Sequence, residues 1–409
     1  MLTRIEIDGF KTFDNFALDL VPLTAVVGPN ASGKSNLFDA IRFLSLLSQY
    51  DIRTAMQDLR GLPEELFRLT TKGSSKRITI AIETLLERQG VDAFGTPYAV
   101  TAQRLRYELE LQMIMTRDGA PKGVIVKRES CKPIAKGQDS AARWLPSGIS
   151  YNARINPFIR LSEAKDAIEV RQDGRQKHGK PVKFSLRDAS RTALSTITTS
   201  EFPHLYALRD FLSGIRFLEL NPKSARNAND RFEDRMLRPD ASNLSAVLAR
   251  LKEETAKDKK PDGVLADIAS DLSALISSVK RINVVNDALQ RQYTFSIDFF
   301  DQLSFSSRLI SDGTLRLLAL LTLINDPERK GTLCFEEPEN GVHEGRVPML
   351  VEILRDATSV DAQSRYGLFQ ILINTHSPKV MNSLLDQEIV ASDTVFDLDP
   401  VTKTRVRTR

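Results

Sequence analysis

Apolar positions along the chain change period several times, and each change marks an element. Strands are predicted at residues 2–8 and 16–20, and the short apolar run Leu23-Thr24-Ala25-Val26-Val27 reads as a buried strand. From Asn36 to Leu47 the apolar positions recur at helical spacing, which predicts a helix reaching residue 49. Alternating strands follow at 77–85, 104–115 and 123–128, whereas 130–191 is rich in turn formers and shows no clear period. Helices are predicted at 203–213, 242–254 and 262–279, with strands at 215–220, 281–285 and 293–299 and an exposed loop at 255–263. A strongly apolar helix spans Leu315 to Ile324. Beyond it stand two apolar strands, Leu333-Cys334-Phe335 and Ile371-Leu372-Ile373, a helix at 379–385 and a hairpin at 394–407. The alternation of buried strands with helices is that of an α/β fold.

The turn between the buried strand and the first helix is Gly28-Pro29-Asn30-Ala31-Ser32-Gly33-Lys34-Ser35, followed by Asn36. It fits G-x-x-x-x-G-K-[ST], the loop that wraps nucleotide phosphates. A strand, a glycine-rich turn and a helix N-terminus together aim backbone N–H groups and the positive dipole end at an anion. In such a loop Lys34 reaches the β- and γ-phosphates, and the Ser35 hydroxyl holds Mg²⁺. A tight turn that merely contains Gly-Lys-Ser would need no partners elsewhere, but partners are present. Leu333-Cys334-Phe335 ends in Glu336 and Glu337, two carboxylates that would be costly there unless they served a cation. Glu336 reads as the metal residue and Glu337, pointing the other way, as the general base for a water aimed at the γ-phosphate. Ile371-Leu372-Ile373 leads through Asn374 and Thr375 to His376, placed to contact that phosphate and sense its presence. His178 and His204 carry no such setting and read as structural. Ser311-Asp312-Gly313-Thr314 opens the apolar helix and, taken alone, is an ordinary N-cap.

Together these four segments resemble the ABC-type ATPase superfamily, in its RecF/OLD/SMC-like branch. The resemblance is carried by Asn30 and Ser32, by Glu-Glu-Pro-Glu-Asn-Gly-Val-His at 336–343, by Ser-Asp-Gly-Thr at 311–314, by Thr-His-Ser at 375–377, and by the opening Ile5-Glu6-Ile7-Asp8-Gly9-Phe10-Lys11-Thr12-Phe13. It covers residues 1–85 and 300–409 well and the middle weakly. Glu336 stands where many members carry aspartate, Ala31 where glycine is frequent, and Ser-Asp-Gly-Thr replaces the transporter-type Leu-Ser-Gly-Gly-Gln, which argues against a transporter subunit. Neither Gln57 nor Gln103 marks the glutamine-bearing loop of the superfamily. The resemblance implies an ABC-type P-loop ATPase head, a mixed sheet with flanking helices, that takes ATP and Mg²⁺. It also implies a composite site, in which each nucleotide lies between one head's phosphate loop and the facing head's Ser-Asp-Gly-Thr segment. Ser311 and the Gly313 N–H would contact a γ-phosphate in trans, Asp312 and Thr314 would shape that turn, and Lys11 would reach the phosphates from the N-terminal strand turn. ATP would bring the heads together and loss of the γ-phosphate would release them.

Charge changes the picture in one place. Residues 121–191 hold sixteen lysines and arginines against seven aspartates and glutamates, although the whole chain carries only +4. Arg171, Arg175, Lys177 and Lys180 lie in that segment with Trp144, Tyr151 and Phe158. Phosphate-backbone contact with nucleic acid, docking of an acidic protein and a solvated insertion all fit it. No apolar run has the length of a membrane span, no signal-peptide pattern opens the chain, and Cys131 and Cys334 suggest neither a disulfide nor zinc. A cytoplasmic protein without membrane partners is expected.

The expected organisation is an N-terminal part of the head at 1–120, a basic insertion or lid at 121–205, and a C-terminal part at 206–409. No heptad array long enough for a coiled-coil arm is present. OLD-type proteins continue after the histidine segment into a nuclease domain, which the remaining residues have no room for. The expectation is therefore a stand-alone ATPase that senses or regulates a separate effector such as a nuclease or toxin, by family analogy in prokaryotic anti-phage defence. A RecF-like DNA-repair ATPase and an ATP-dependent assembly scaffold with little turnover are the alternatives.

Overall fold

Strands from both ends of the chain build the central sheet. The computed structural model describes residues 1–30, 32–70, 73–152, 156–173, 181–276, 278–301, 303–360, 367–393, 395–398 and 405–408. Ala31 of the phosphate loop and Arg175, Lys177, His178 and Lys180 of the basic segment lie outside the described residues. The five central strands lie in the order Arg216–Leu218, Gly331–Glu336, Phe369–Thr375, Leu23–Val27, Ile389–Ala391, and every neighbouring pair is parallel. Such a sheet must be covered on both faces, which is why its strands read as continuous apolar runs. Val26, Cys334 and Leu372 face one core, which includes helices Lys34–Leu47 and Pro203–Ser213. Leu23, Ala25, Leu333, Phe335, Ile371 and Ile373 face a second core, made with helices Leu244–Thr255, Leu265–Leu275, Asp312–Asn325 and Val347–Ala357.

A second sheet of eight antiparallel strands closes the first core. Its order is Val182–Ser185, Ala167–Val170, Ile159–Leu161, Pro121–Pro133, Arg104–Met115, Arg77–Leu85, Leu2–Asp8, Phe16–Asp19. One face of it, with Ile5, Ile7, Ile80, Ile82, Leu105, Tyr107 and Leu109, is buried in that core. The other face carries charge in cross-strand pairs: Arg4–Asp19 at 2.8 Å, Arg106–Glu6 at 2.6 Å, Arg106–Glu83 at 3.2 Å, Arg160–Glu169 at 2.8 Å and Lys183–Glu169 at 2.9 Å. Residues 121–191 therefore supply four strands of this sheet, and part of their positive charge is met by carboxylates beside them. Arg171 lies over the Phe158 ring, 5.0 Å from its centroid.

Long elements follow their sequence signals closely. The helix at 203–213 and the strands at 77–85 and 104–115 have the predicted bounds. The predicted strand 123–128 extends to 121–133, with a bulge between Val126 and Arg128. The predicted helix 262–279 is shorter, Leu265–Leu275, because the chain has already entered the next strand at Val279. Strands 395–398 and 405–408 pair as an antiparallel hairpin.

Gln370 joins the two sheets. It sits fully buried in the central strand Phe369–Thr375, and its side chain uses all its main bonding directions. Oε1 accepts from the Leu2 N–H at 2.9 Å and the Thr332 hydroxyl at 3.0 Å, while Nε2 donates to the carbonyls of Leu2 at 2.7 Å and Val21 at 3.1 Å. Gln370→Leu strands those groups without partners, and each unsatisfied buried group costs about 1–3 kcal/mol. Equilibrium urea unfolding is expected to show a loss of about 2–5 kcal/mol; a change below about 1 kcal/mol would remove Gln370 as a link.

The charged face gives a pH signature. Hydrogen bonding from Arg106 lowers the Glu6 carboxyl from 4.5 to about 2. A carboxylate depressed in the folded state stabilises above its unfolded pKa and loses that contribution as pH falls through the folded one. The stability difference between wild type and Glu6→Gln is therefore expected to be full near neutrality and to disappear between pH 4.5 and about 2. Urea midpoints measured across that range check it; a difference that persists undiminished at the acid end would refute it.

Candidate functional site

The C-terminal ends of three parallel strands meet at one edge of the central sheet. Leu23–Val27 runs into the phosphate loop, Gly331–Glu336 into Glu337, and Phe369–Thr375 into His376. Register brings them level: Val27 lies opposite Thr375, and Glu336 opposite Asn374. Open α/β sheets place ligand sites at this end.

The phosphate loop turns into its helix at Gly33, whose φ of +99° lies in the left-handed region that glycine tolerates. Among the described residues no side chain caps the helix that starts at Lys34, so its first N–H groups remain available to an anion. Lys34 is 8% exposed, and its ammonium donates to the carbonyls of Gly28 at 2.6 Å and Pro29 at 2.8 Å. Burial lowers its pKa, against the opposing pull of Glu337 and Glu336. Ser35 Oγ donates to Glu336 Oε2 at 3.2 Å. Asn36 Nδ2 donates to the Thr12 hydroxyl at 3.0 Å, and Pro29 and Asn30 are exposed.

Residues without a sequence signal hold this loop in place. Ser392, just past Ile389–Ala391, donates its N–H to the Val27 carbonyl at 2.7 Å and its hydroxyl to Ser32 O at 3.2 Å and Ser32 Oγ at 3.0 Å. The backbone of Gly28 passes so close that a Cβ there would stand 2.0 Å from the Ser392 carbonyl oxygen. Lys11 does approach the loop, but its ammonium is held by the buried Asp39 at 2.6 Å and by the Arg60 carbonyl at 3.1 Å. Asp39 also accepts from Arg60 Nη2 at 3.0 Å, and Arg60 donates to the Ser35 carbonyl at 3.3 Å and stands 4.0 Å from Glu336. Asp39 thus gathers two cations beside the phosphate loop. Asp39 and Arg60 lie outside the loop motif, so only the folded contact reveals them.

Glu337 occupies the left-handed region with φ +48°, unusual for a side-chain-bearing residue and a mark of local strain. Its N–H donates to the Asn374 carbonyl at 2.9 Å and to Asn374 Oδ1 at 3.2 Å. His376 Nδ1 lies 3.0 Å from Glu337 Oε1, and Asn340 Nδ2 donates to Oε2 at 2.8 Å. Both carboxylate oxygens are engaged, and His376 is brought to the expected base itself. Asn340 belongs to the Glu-Glu-Pro-Glu-Asn run quoted above, where its service to Glu337 could have been anticipated.

The segment Ser311-Asp312-Gly313-Thr314 forms the start of helix Asp312–Asn325. Ser311 Oγ accepts from the Thr314 N–H at 3.2 Å and bonds the Thr314 hydroxyl at 2.8 Å, while Asp312 takes Arg226 at 2.5 Å. Ser311 and Asp312 are exposed, so this helix start faces outward although the helix behind it is buried. Elsewhere, His204 is a buried strut: Nε2 accepts from the N–H groups of Thr101 at 3.0 Å and Ala102 at 3.1 Å, and Nδ1 faces Asp173. Gln103 is likewise structural, bonded to Leu86 at 3.0 Å and Ser150 at 3.1 Å, and Gln57 is exposed.

The chain is similar to known proteins in sequence and in fold. A family model described as "AAA domain, putative AbiEii toxin, Type IV TA system" matches residues 23–94 and 157–382. The chromosome partition protein Smc of Bacillus subtilis is 42% identical over 86 residues, 20% of this chain and 7% of that protein. The DNA replication and repair protein RecF of Lactococcus lactis subsp. cremoris is 25% identical over 197 residues, 45% of this chain and 53% of that one. The chain thus spans about half of that RecF and a small part of that Smc. In fold, a crystal structure of an Smc head bound to the C-winged helix domain of ScpA superposes with a TM-score of 0.52 at 13% identity, over 99% of this chain and 97% of that one.

The Gly28–Ser392 approach makes a prediction. Gly28→Ala cannot be placed without moving the loop or the Ser392 backbone, because the added carbon would overlap the carbonyl oxygen. Nucleotide affinity, measured with a fluorescent ATP analogue, is expected to fall about tenfold or more while the thermal unfolding transition stays cooperative. Unchanged affinity would show that the loop is not braced by Ser392.

Proposed function

We propose that this chain, which belongs to that AAA-domain family and is an ABC-type ATPase related to RecF and SMC heads, binds ATP with Mg²⁺, hydrolyses it, and pairs head to head through the bound nucleotide. The observation that carries the reading is the convergence of Lys34, Ser35, Glu336, Glu337 and His376, drawn from distant stretches, on one edge of one parallel sheet. In this reading Lys34 leaves the carbonyls of Gly28 and Pro29 for the β- and γ-phosphates, and the helix N-terminus behind Gly33 supplies N–H donors. Ser35 and Glu336 would hold Mg²⁺. Two hard oxygen donors within 3.2 Å suit that ion, which takes its remaining ligands from phosphates and water. The bound ion would neutralise charge on the phosphate oxygens. Glu337 accepts a proton from the attacking water at a carboxylate oxygen, with His376 and Asn340 fixing its orientation.

Ser311 and the Gly313 N–H meet the γ-phosphate held by a second copy while Asp312 and Thr314 shape the turn, an arrangement supported by the exposure of Ser311 and Asp312 at a helix N-terminus. The output is regulation of a separate effector, such as a nuclease or toxin in defence against phage, a reading supported by the family description that names a toxin–antitoxin system. A second reading, a RecF-like ATPase acting on DNA, is favoured by the match to RecF and by the excess of lysine and arginine in 121–191.

Three variants test the site together. Glu337→Gln is expected to keep Mg·ATP and the closed pair while turnover falls about 10²-fold or more. Lys34→Ala should lose nucleotide binding, and Ser311→Arg should bind nucleotide yet fail to pair on ATP addition, as read by light scattering. Wild-type turnover in Glu337→Gln, or pairing in Ser311→Arg, would overturn the corresponding role.

A further inference from the structure

The helix that begins at Ser311 is tied to the Glu336–Glu337 segment at two points. The first tie is Arg316, on its second turn. The guanidinium lies over the Phe335 ring, 4.5 Å from the centroid, and Nη2 donates to the Glu336 carbonyl and, at 3.4 Å, to the Glu337 carbonyl. It therefore grips the backbone that carries both carboxylates. A planar guanidinium lies flat on a ring while its N–H groups stay directed at acceptors along the plane's edge, an orientation that a point-charge ammonium does not fix.

The second tie is backbone against backbone. A Cβ on Gly341 would stand 2.6 Å from the Gly313 Cα, and one on Gly313 would stand 3.0 Å from the Gly341 Cα. Gly341 lies in the loop 337–343 that starts at Glu337, and its φ of +95° also calls for glycine. The segment from Glu336 to Gly341 is thus held at two points by residues 313 and 316 of one helix. Glu337 already carries a strained backbone, so a small displacement of the helix start has a direct route to the carboxylate.

The clamp is incompletely satisfied. Arg316 Nε and Glu339 Oε2 are both buried without a hydrogen-bond partner among the described residues, and the Glu339 charge acts on Arg316. Buried unpaired donors and acceptors are costly, so they favour any rearrangement that pairs them.

We propose that Arg316 is a positioning residue which couples the seating of Ser311–Thr314 on a second copy's nucleotide to the placement of Glu337 in its own site. The proposal rests on the head pairing described above. Each head's Ser311–Thr314 segment reads the partner's nucleotide, whereas its Glu337 acts on its own. Arg316 thereby links the two nucleotides of a pair, and hydrolysis becomes cooperative in ATP. Two rigid ties on one element are the kind of physical connection such coupling requires.

Arg316→Gln and Arg316→Lys, made in the full chain, test this. Nucleotide affinity and ATP-dependent pairing are expected to stay within about threefold of wild type, while kcat falls about tenfold or more in the glutamine variant and partly recovers in the lysine variant. The Hill coefficient for ATP should fall toward one in both. Arg316→Gln added to Glu337→Gln should cost nothing further, because the arginine acts through the base. Multiplying losses in that double variant, or unchanged kcat and Hill coefficient in the single ones, would overturn the proposal. If Arg316→Gln fails to unfold cooperatively, the lysine variant decides alone by the same Hill coefficient. Wild-type protein that does not pair on ATP would overturn the head-pairing reading and this proposal with it; wild-type pairing with unaffected Arg316 variants overturns this proposal only.

Discussion

Leu23–Val27 and Phe369–Thr375, from opposite ends of the chain, share a parallel hydrogen-bond ladder. That ladder sets the height of the phosphate loop against His376, and the next ladder, from Phe369–Thr375 to Gly331–Glu336, sets the height of both glutamates. A slip of one residue would turn apolar side chains between the two cores and move each site residue by a strand step. Gln370 guards the register from within, since its four bonds to Leu2, Val21 and Thr332 exist at one alignment only. Site geometry and fold stability are therefore the same property here.

The polar groups of the site satisfy one another. Lys34 bonds the carbonyls of its own loop, Ser35 bonds Glu336, Lys11 and Arg60 share Asp39, and Glu337 is held by His376 and Asn340. Nucleotide binding must exchange several of these contacts for contacts to phosphate. Such exchange gains less than new bonds from free groups would, which lowers affinity and makes the site responsive to whatever else holds those side chains.

Much of this was legible in the sequence, for identifiable reasons. Lys34, Ser35, Glu336, Glu337 and His376 stand at the ends of apolar runs, and polar residues at such ends are conspicuous. The strands 77–85 and 104–115 are long enough to display their period. Ile159–Leu161, Ala167–Val170 and Val182–Ser185 have three or four residues each, too few for alternation to stand out among turn residues. Counting charge in 121–191 registers the lysines and arginines but is blind to cross-strand pairing such as Arg160 and Lys183 on Glu169. Asp39, Arg60 and Ser392 act through contacts with no local pattern, and the hold of Asp39 on Lys11 is invisible for the same reason.

The layout of the central sheet also bears on how the protein is made. During synthesis the antiparallel sheet, which uses residues 2–185, can assemble first. Among the described residues Leu23–Val27 finds its sheet neighbours in 369–375 and 389–391, so this apolar segment has no ladder until those distant residues are made. Non-local pairings of this kind close slowly and leave sticky surface in the meantime. The strand that leads into the phosphate loop therefore gains its place only once residues 369–391 have been made, so the height of that loop is fixed late relative to the antiparallel sheet.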